Sequence, residues 1–430
     1  MASASHSSSS QPSVASTGRM RLLSLDAFRS LTILAMILVN NPGKWGEQYW
    51  PLVHAPWHGW TPTDLVFPFF LFIVGTSLAY SLRKYRDGQR IERAVYWRIV
   101  RRTFILIFLG LLPGILVRGA DYLFGDASTL NFSTMRFPGV LQRIAVVYFL
   151  VSLVALHVPV RAQAALAAIL LLGYWALVGF LPHSGDYQRN LTLDGNVVGL
   201  VDRAVFTPRH MYTYDAETGK LDEQTDPEGL LSTLPAIVTT LLGYWTGLAI
   251  QRHGLRNETV LLLLVCGAIC AIVGLAWALV FPINKKLWTS SFVLLTGGLA
   301  MQLLAVCILI FDVWGRWRLA RPFEIVGVNA ISVYVASGLM ATLLNNVSVG
   351  AMSARMAISS PLCVVDRISQ AGFAWLRLGN GCVLVAGVLD HVAASHHDPR
   401  VGQAFQPDSI WVRQARKPDL RACNHAARRN

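Results

Sequence analysis

"YWPLVHAPWHGWTPTDLVFPFFLFIVGTSLAYSLRKYR" occupies Tyr49–Arg86, and the part from 63 to 82 decides the fold. That part carries one charge, Asp64, at its start. Twenty residues of helix at about 1.5 Å each cross roughly 30 Å of hydrocarbon. Trp50, Trp57 and Trp60 before it belong to the residue types that anchor helices at the headgroup level, and Arg83, Lys84 and Arg86 after it to those that stay on the cytoplasmic side. The stretch reads as a spanning helix with an aromatic, titratable mouth at one end and a basic exit at the other.

Working outward, apolar runs of similar length recur at about 24–41, 99–117, 138–157, 163–181, 232–250, 259–281, 288–311 and 323–344, which with 63–82 makes nine. The 430-residue chain is 53% hydrophobic and 14% charged, with mean hydropathy +0.46, against about 25% charged for a soluble domain. The fold class is an all-α polytopic membrane protein. Its net charge of +13 does not point to nucleic acid, because the basic residues sit mainly between the runs, where they set topology and meet anionic lipid.

The six cysteines form no disulfide framework. Cys266, Cys270 and Cys307 lie inside apolar runs as small hydrophobes, and no histidine or carboxylate near Cys266 and Cys270 in sequence completes a metal site. We expect no metal. Residues 1–19 are a Ser-rich, disordered leader without the basic and apolar regions of a cleaved signal. The domain of interest is 20–345. Residues 346–430 form an atypical, partly disordered C-terminal region.

The connections alternate in charge. Arg83–Arg102, Arg252 with Arg256, and Arg316 with Arg318 are basic, whereas the longest loop, 182–231, is acidic. The positive-inside rule puts the N-terminus in the cytoplasm and loops 42–62, 118–137, 182–231 and 282–287 outside. Counting crossings then gathers polar residues that are distant in the chain. Asn40, His54, His58, Asp64, Gln142, Arg143, Asp226, Glu228, Asn284, Lys285 and Trp288 collect at the outer face. Asp26, Arg29, Arg101, Arg102 and Asn329 collect at the inner one. Such groups in spanning segments are functional candidates by default. Each also has a plain structural reading: belt residues for the tryptophans, an N-cap for Asp64 in "TPTD", a helix-surface ion pair for Asp26 and Arg29, and solvated charge for Lys285 and Lys286.

The strings "RLLSLDAFRS", "LVNNPG", "HAPWHGWTPTDLVFPFFLFIVGTSL", "GVLQRIA", "DPEGLLSTLPAIVTTLLGYWTG", "PINKKLWTSSFVLLTGG" and "VGVNAISVYV" follow one another between residues 20 and 345. In this order the chain resembles the heparan-α-glucosaminide N-acetyltransferase family, and the resemblance implies a good deal. Family members take acetyl from cytosolic acetyl-CoA and pass it to the amino group of a glucosamine on the lumenal or periplasmic side. Their fold has up to eleven helices, and eukaryotic members form homodimers. The family histidine matches His54, and the asparagine that ends the first helix matches Asn40. His58 falls at a variable position and is read as a bystander.

With the resemblance placing His54 and Asn40, an amine-acetylation mechanism would use His54 as general base or acyl carrier, Asn40 as oxyanion donor and Asp64 to orient His54 or hold the ammonium. Gln142, Arg143, Asp226, Glu228, Asn284, Lys285 and Trp288 would line the sugar pocket, and Arg101, Arg102 and Asn329 would meet acetyl-CoA. The expected setting is the plasma membrane of a bacterium, with the bilayer and an amino sugar as partners. Two other classes share such a pocket, an amino-sugar permease and a membrane O-acyltransferase of envelope polysaccharide.

Overall fold

The computed structural model describes residues 22–41, 48–86, 90–124, 132–181, 187–212 and 225–316, together with most of 329–349 and several neighbouring positions as far as 353. All of these belong to one compact unit. The expected leader and nearly all of 346–430 lie outside the described residues.

The chain is an all-α polytopic membrane protein. Its helices are α1 (Leu23–Asn40), α2 (Pro62–Ser81), α3 (Arg83–Arg86), α4 (Arg93–Phe124), α5 (Val140–His157), α6 (Val160–Phe180), α7 (Tyr187–Asn190), α8 (Val197–Phe206), α9 (Thr233–His253), α10 (Asn257–Trp277), α11 (Ser290–Cys307, continuing as a π-turn to Val313) and α12 (Ala330–Asn346). Among the described residues, eight helices are long and apolar enough to cross a membrane: α1, α2, α4, α5, α6, α9, α10, and α11 with its extension. The ninth apolar run supplies α12, at 17 residues a shorter helix, packed against α1 and α4. A two-residue antiparallel pairing, Ser348–Val349 with Met352–Ser353, follows it.

The outward faces are apolar. Phe104 and Phe108 on α4 and Leu261, Val265, Ile269 and Ile272 on α10 are exposed large hydrophobics, as a lipid-facing surface requires. Inside the bundle there is no hydrophobic gain of helix on helix, so close contact depends on small residues. A Cβ on Gly75 of α2 would lie 1.9 Å from the Thr240 carbonyl oxygen of α9, and one on Gly243 would lie 1.9 Å from the Phe72 oxygen. Gly267 and Gly298 bring α10 and α11 together in the same way.

Helix α4 is longer than its apolar run. Arg93, Arg98, Arg101 and Arg102 are helical, not part of a loop. Arginine is a good helix former and its long stem lets the charge reach the interface while the backbone stays in the helix.

At the end of the bundle where α1 begins, Arg29 binds Asp26 at 3.1 Å and Ser77 of α2 at 2.7 Å. The opposite end carries a cap of loop segments. Leu191, Val197 and Val198 pack with Tyr174, Val178, Phe281 and Leu287 in a second apolar cluster, which holds the 187–212 segment over α6 and the α10–α11 loop. Trp57 donates its indole N–H to the Leu191 carbonyl at 2.8 Å. It therefore ties the loop after α1 to this cap, whereas Trp50 and Trp60 are exposed, in the belt role expected for all three.

Candidate active site

The local sequence "HAPWHGWTPTD" folds around one carboxylate. Thr61 and Asp64 form a capping box at the start of α2. Asp64 Oδ2 accepts the backbone N–H groups of Thr61 and Ala55, each at 3.0 Å. Asp64 Oδ1 lies 2.6 Å from His54 Nδ1. The cap and partner readings of Asp64 are thus both met by a single side chain, which is 1% exposed. The short contact to a carboxylate assigns the proton to Nδ1 and leaves the lone pair on His54 Nε2. His54 is 45% exposed on its side chain.

Lys285 reaches the same point from the α10–α11 loop. Its Nζ is 3.1 Å from both ring nitrogens of His54 and 3.7 Å from Asp64 Oδ1. Burial lowers the Lys285 pKa and the neighbouring Lys286 adds to this, while Asp64 and Glu228 pull it back up. His58 sits apart, its Nδ1 3.4 Å from the Asn284 amide nitrogen. Partial burial lowers its pKa.

These groups open on a cavity of about 470 Å³ lined by Asn40, His54, Asp64, Arg136, Tyr212, Glu228, Lys285 and Lys286 among others. A second cavity, about 680 Å³, adjoins it and shares Asn40, Arg136, Val140 and Tyr212 as lining. Its other walls come from α4 (Leu109 to Arg118), α5 and α12 (Tyr334 to Thr342). Its lower edge at Leu109 is seven residues, roughly 10 Å of helix, above Arg102.

Sequence-chosen residues divide into three groups. His54, Asn40, Asp64, Glu228 and Lys285 line the first cavity, and Gln142 lines the second. Arg143, Asp226, Asn284 and Trp288 line neither. Arg143 is buried, with its guanidinium 5.1 Å over the Trp288 ring and Nη2 donating to the Gly229 carbonyl at 3.0 Å. Trp288 is fully buried and donates to Thr239 at 3.2 Å. Asn284 closes its own turn by accepting the Leu287 N–H at 2.9 Å. They are parts of the floor, because a large apolar ring and a cation stacked on it exclude solvent. Arg101, Arg102 and Asn329 are exposed, away from both cavities. Arg102 lies 4.8 Å over the Tyr148 ring.

Arg136 was missed. It binds Asp226 at 2.8 Å and Glu228 at 2.6 Å and stands 4.6 Å over Tyr212. Burial works against its charge, but Glu228 and Asp226 outweigh this and raise its pKa. Asp226, completely buried, also accepts the N–H groups of Tyr212 and Glu228. It holds Arg136 in place and so acts behind the cavity wall. The available signal was an arginine in an outward loop, against the positive-inside trend.

A family model described as "Heparan-alpha-glucosaminide N-acetyltransferase, catalytic" matches residues 21–264. The chain belongs to this acetyltransferase family. It is 30% identical to the human heparan-alpha-glucosaminide N-acetyltransferase over 359 residues, 73% of this chain and 52% of that protein. The mouse protein of the same name is 30% identical over 369 residues, 76% of this chain and 54% of its own length. The chain thus spans about half the length of the curated relatives it matches. The family match covers His54, Asn40, Asp64, Arg136 and Glu228 but stops before Lys285.

Proposed function

We propose that the chain is a transmembrane acyltransferase which carries acetyl from acetyl-CoA to the amino group of a glucosamine-type sugar. The observation that carries this reading is the His54–Asp64 pair in a cavity that adjoins a second one through Asn40, Arg136, Val140 and Tyr212. One cavity is acidic and basic in turn, fit for an amino sugar. The other runs between α4, α5 and α12 toward the basic end of the bundle.

A glucosamine ammonium must lose its proton before it attacks. Glu228 receives the cation, which releases that proton to solvent, and His54 Nε2 removes the second proton from the nitrogen as it attacks, a step that contributes typically ~10²–10⁴-fold. Asp64 keeps the imidazole in the tautomer that has Nε2 free and balances the imidazolium that forms. The amine attacks the thioester carbonyl carbon, and the C–S bond breaks. Asn40, shared by both cavities, donates a side-chain N–H to the developing oxyanion, a contribution of roughly 3–4 kcal/mol in comparable sites. CoA leaves as the thiol with the proton from His54. Arg101, Arg102 and Asn329 meet the phosphates of the donor at the far end.

Residues 20–345 are the acetyltransferase domain in this reading, and a homodimer is the expected assembly. The basic end, with Arg83, Lys84, Arg86, Arg93 and Arg98, faces the cytoplasm along with the N-terminus. The His54 cavity faces the periplasm or a lumen. The test is labelled acetyl-CoA given to membranes containing the protein, with a panel of amino sugars outside. N-acetylated, base-stable sugar is the expected product. Transport of unlabelled sugar without transfer would make the protein a permease, and a base-labile ester product would make it an O-acyltransferase.

A further inference from the structure

We infer that Lys285 is itself an acetyl acceptor: when no sugar amine fills the first cavity, its Nζ takes the acetyl group and becomes Nε-acetyllysine. This rests on the acetyltransferase reading above. It names a modification site that the transfer to sugar does not require.

The argument begins with position. The sugar amine must come within hydrogen-bonding reach of His54 Nε2, and Lys285 Nζ already lies 3.1 Å from that atom. It is a primary amine on a flexible stem, 16% exposed on its side chain, and it lines the cavity in which the acceptor would sit. Equal distances to both ring nitrogens place the amine against the imidazole, not in line with one lone pair, so a small rotation of the stem aims it at Nε2. A lysine usually fails as a nucleophile at neutral pH because it is protonated. Here burial pushes the Lys285 pKa down, which favours the free amine.

The chemistry balances without another reagent. His54 Nε2 removes a proton from Lys285 Nζ. The nitrogen forms a bond to the acetyl carbonyl carbon, the C–S bond of acetyl-CoA breaks, and the thiolate leaves with the proton from His54. The product is an amide. It abolishes the basicity of a nitrogen that stands 3.7 Å from Asp64 and adds an acetyl group to a cavity of about 470 Å³. Lys285 acetylation therefore obstructs the acceptor site, and the sugar protects against it by occupying the same place.

The experiment uses the full chain in lipid nanodiscs with labelled acetyl-CoA and no sugar, followed by peptide mass spectrometry. Acetyl should accumulate on Lys285 as a hydroxylamine-stable amide, more slowly when glucosamine is added. Lys84, over the Tyr85 ring at the other end of the bundle, reports non-enzymatic acetylation and should stay unlabelled. His54→Ala, with insertion verified, should slow Lys285 labelling by roughly 10²-fold or more, and Lys285→Arg should abolish it. A preparation that acetylates glucosamine but leaves Lys285 bare overturns the inference and leaves the enzyme reading standing. Equal labelling of Lys84 and Lys285, or labelling unchanged in His54→Ala, overturns it too. Labelling of neither sugar nor lysine contradicts the acetyltransferase reading and the inference with it.

Discussion

Arg136 and Arg143 lie seven positions apart, yet the fold uses them in opposite ways. Arg136 stands at the wall of both cavities, 32% exposed on its side chain, with two carboxylates holding it. Arg143 is sunk in the floor. It bonds the Gly229–Ser232 turn from one side, while Asp202 takes the Leu230 N–H at 2.8 Å from the other. A Cβ on Gly229 would strike the Asp202 carboxylate at 1.9 Å, so a larger residue there displaces Asp202 from the turn. Both arginines are conspicuous charges near a membrane end. The difference teaches that burial without an opening makes a charge a fastener, and that a wall position makes it available to a ligand.

The comparison breaks most visibly at Arg143. Arg143→Ala takes the guanidinium from the Gly229 carbonyl and the Ser232 hydroxyl, and each hydrogen bond to a charged group contributes about 1.5–3 kcal/mol. Thermal unfolding in detergent should show a severe loss of folded protein, with residual activity proportional to what folds. Intact stability with lost sugar affinity would put Arg143 among the ligand groups after all.

Asp64→Asn comes next. The amide keeps an acceptor for the Thr61 and Ala55 N–H groups, so α2 still starts normally. It also turns an N–H toward His54 Nδ1, which moves the ring proton to Nε2 and removes the base. We expect a fall in kcat of about 10²-fold or more with little change in melting temperature. Arg136→Lys keeps the charge but loses the forked geometry that serves Asp226 and Glu228 together. Steady-state kinetics should give a KM for sugar raised by about tenfold, which is one charge-assisted hydrogen bond's worth, and kcat changed less.

A pH-dependent effect concerns Asp202. Burial, with Asp226 adding to it, raises its pKa to about 7, against the pull of the Leu230 N–H and Arg143. An unfolded aspartate titrates near 3.9. The folded state therefore holds a proton that the unfolded state releases. Its contribution to stability is full below about pH 4 and is lost as pH rises toward 7. Melting curves taken across that window should lose this component in Asp202→Asn; an unchanged slope would show that Asp202 does not supply it.

Much of this was legible in the sequence, and for a physical reason. Spanning helices obey a length set by the bilayer, so α2 was expected at 63–82 and is Pro62–Ser81. The His54–Asp64 contact was within reach of the sequence because ten residues of one loop and one cap hold the two together, although His54 itself was singled out by the family string. Arg136 was not, because its partners lie 90 and 92 positions away and only the fold joins them. Arg143 and Trp288 were drawn into the pocket for the converse reason: crossing counts give the membrane end of a residue but not whether it faces a cavity or the floor. The ends of α4 were hidden because arginines mark an interface without ending a helix.

The most direct test of the central claim is the rate of acetyl transfer from acetyl-CoA to glucosamine by His54→Ala, compared with wild type at equal membrane insertion. The account predicts a loss of roughly 10²–10⁴-fold. Transfer at the wild-type rate would contradict it.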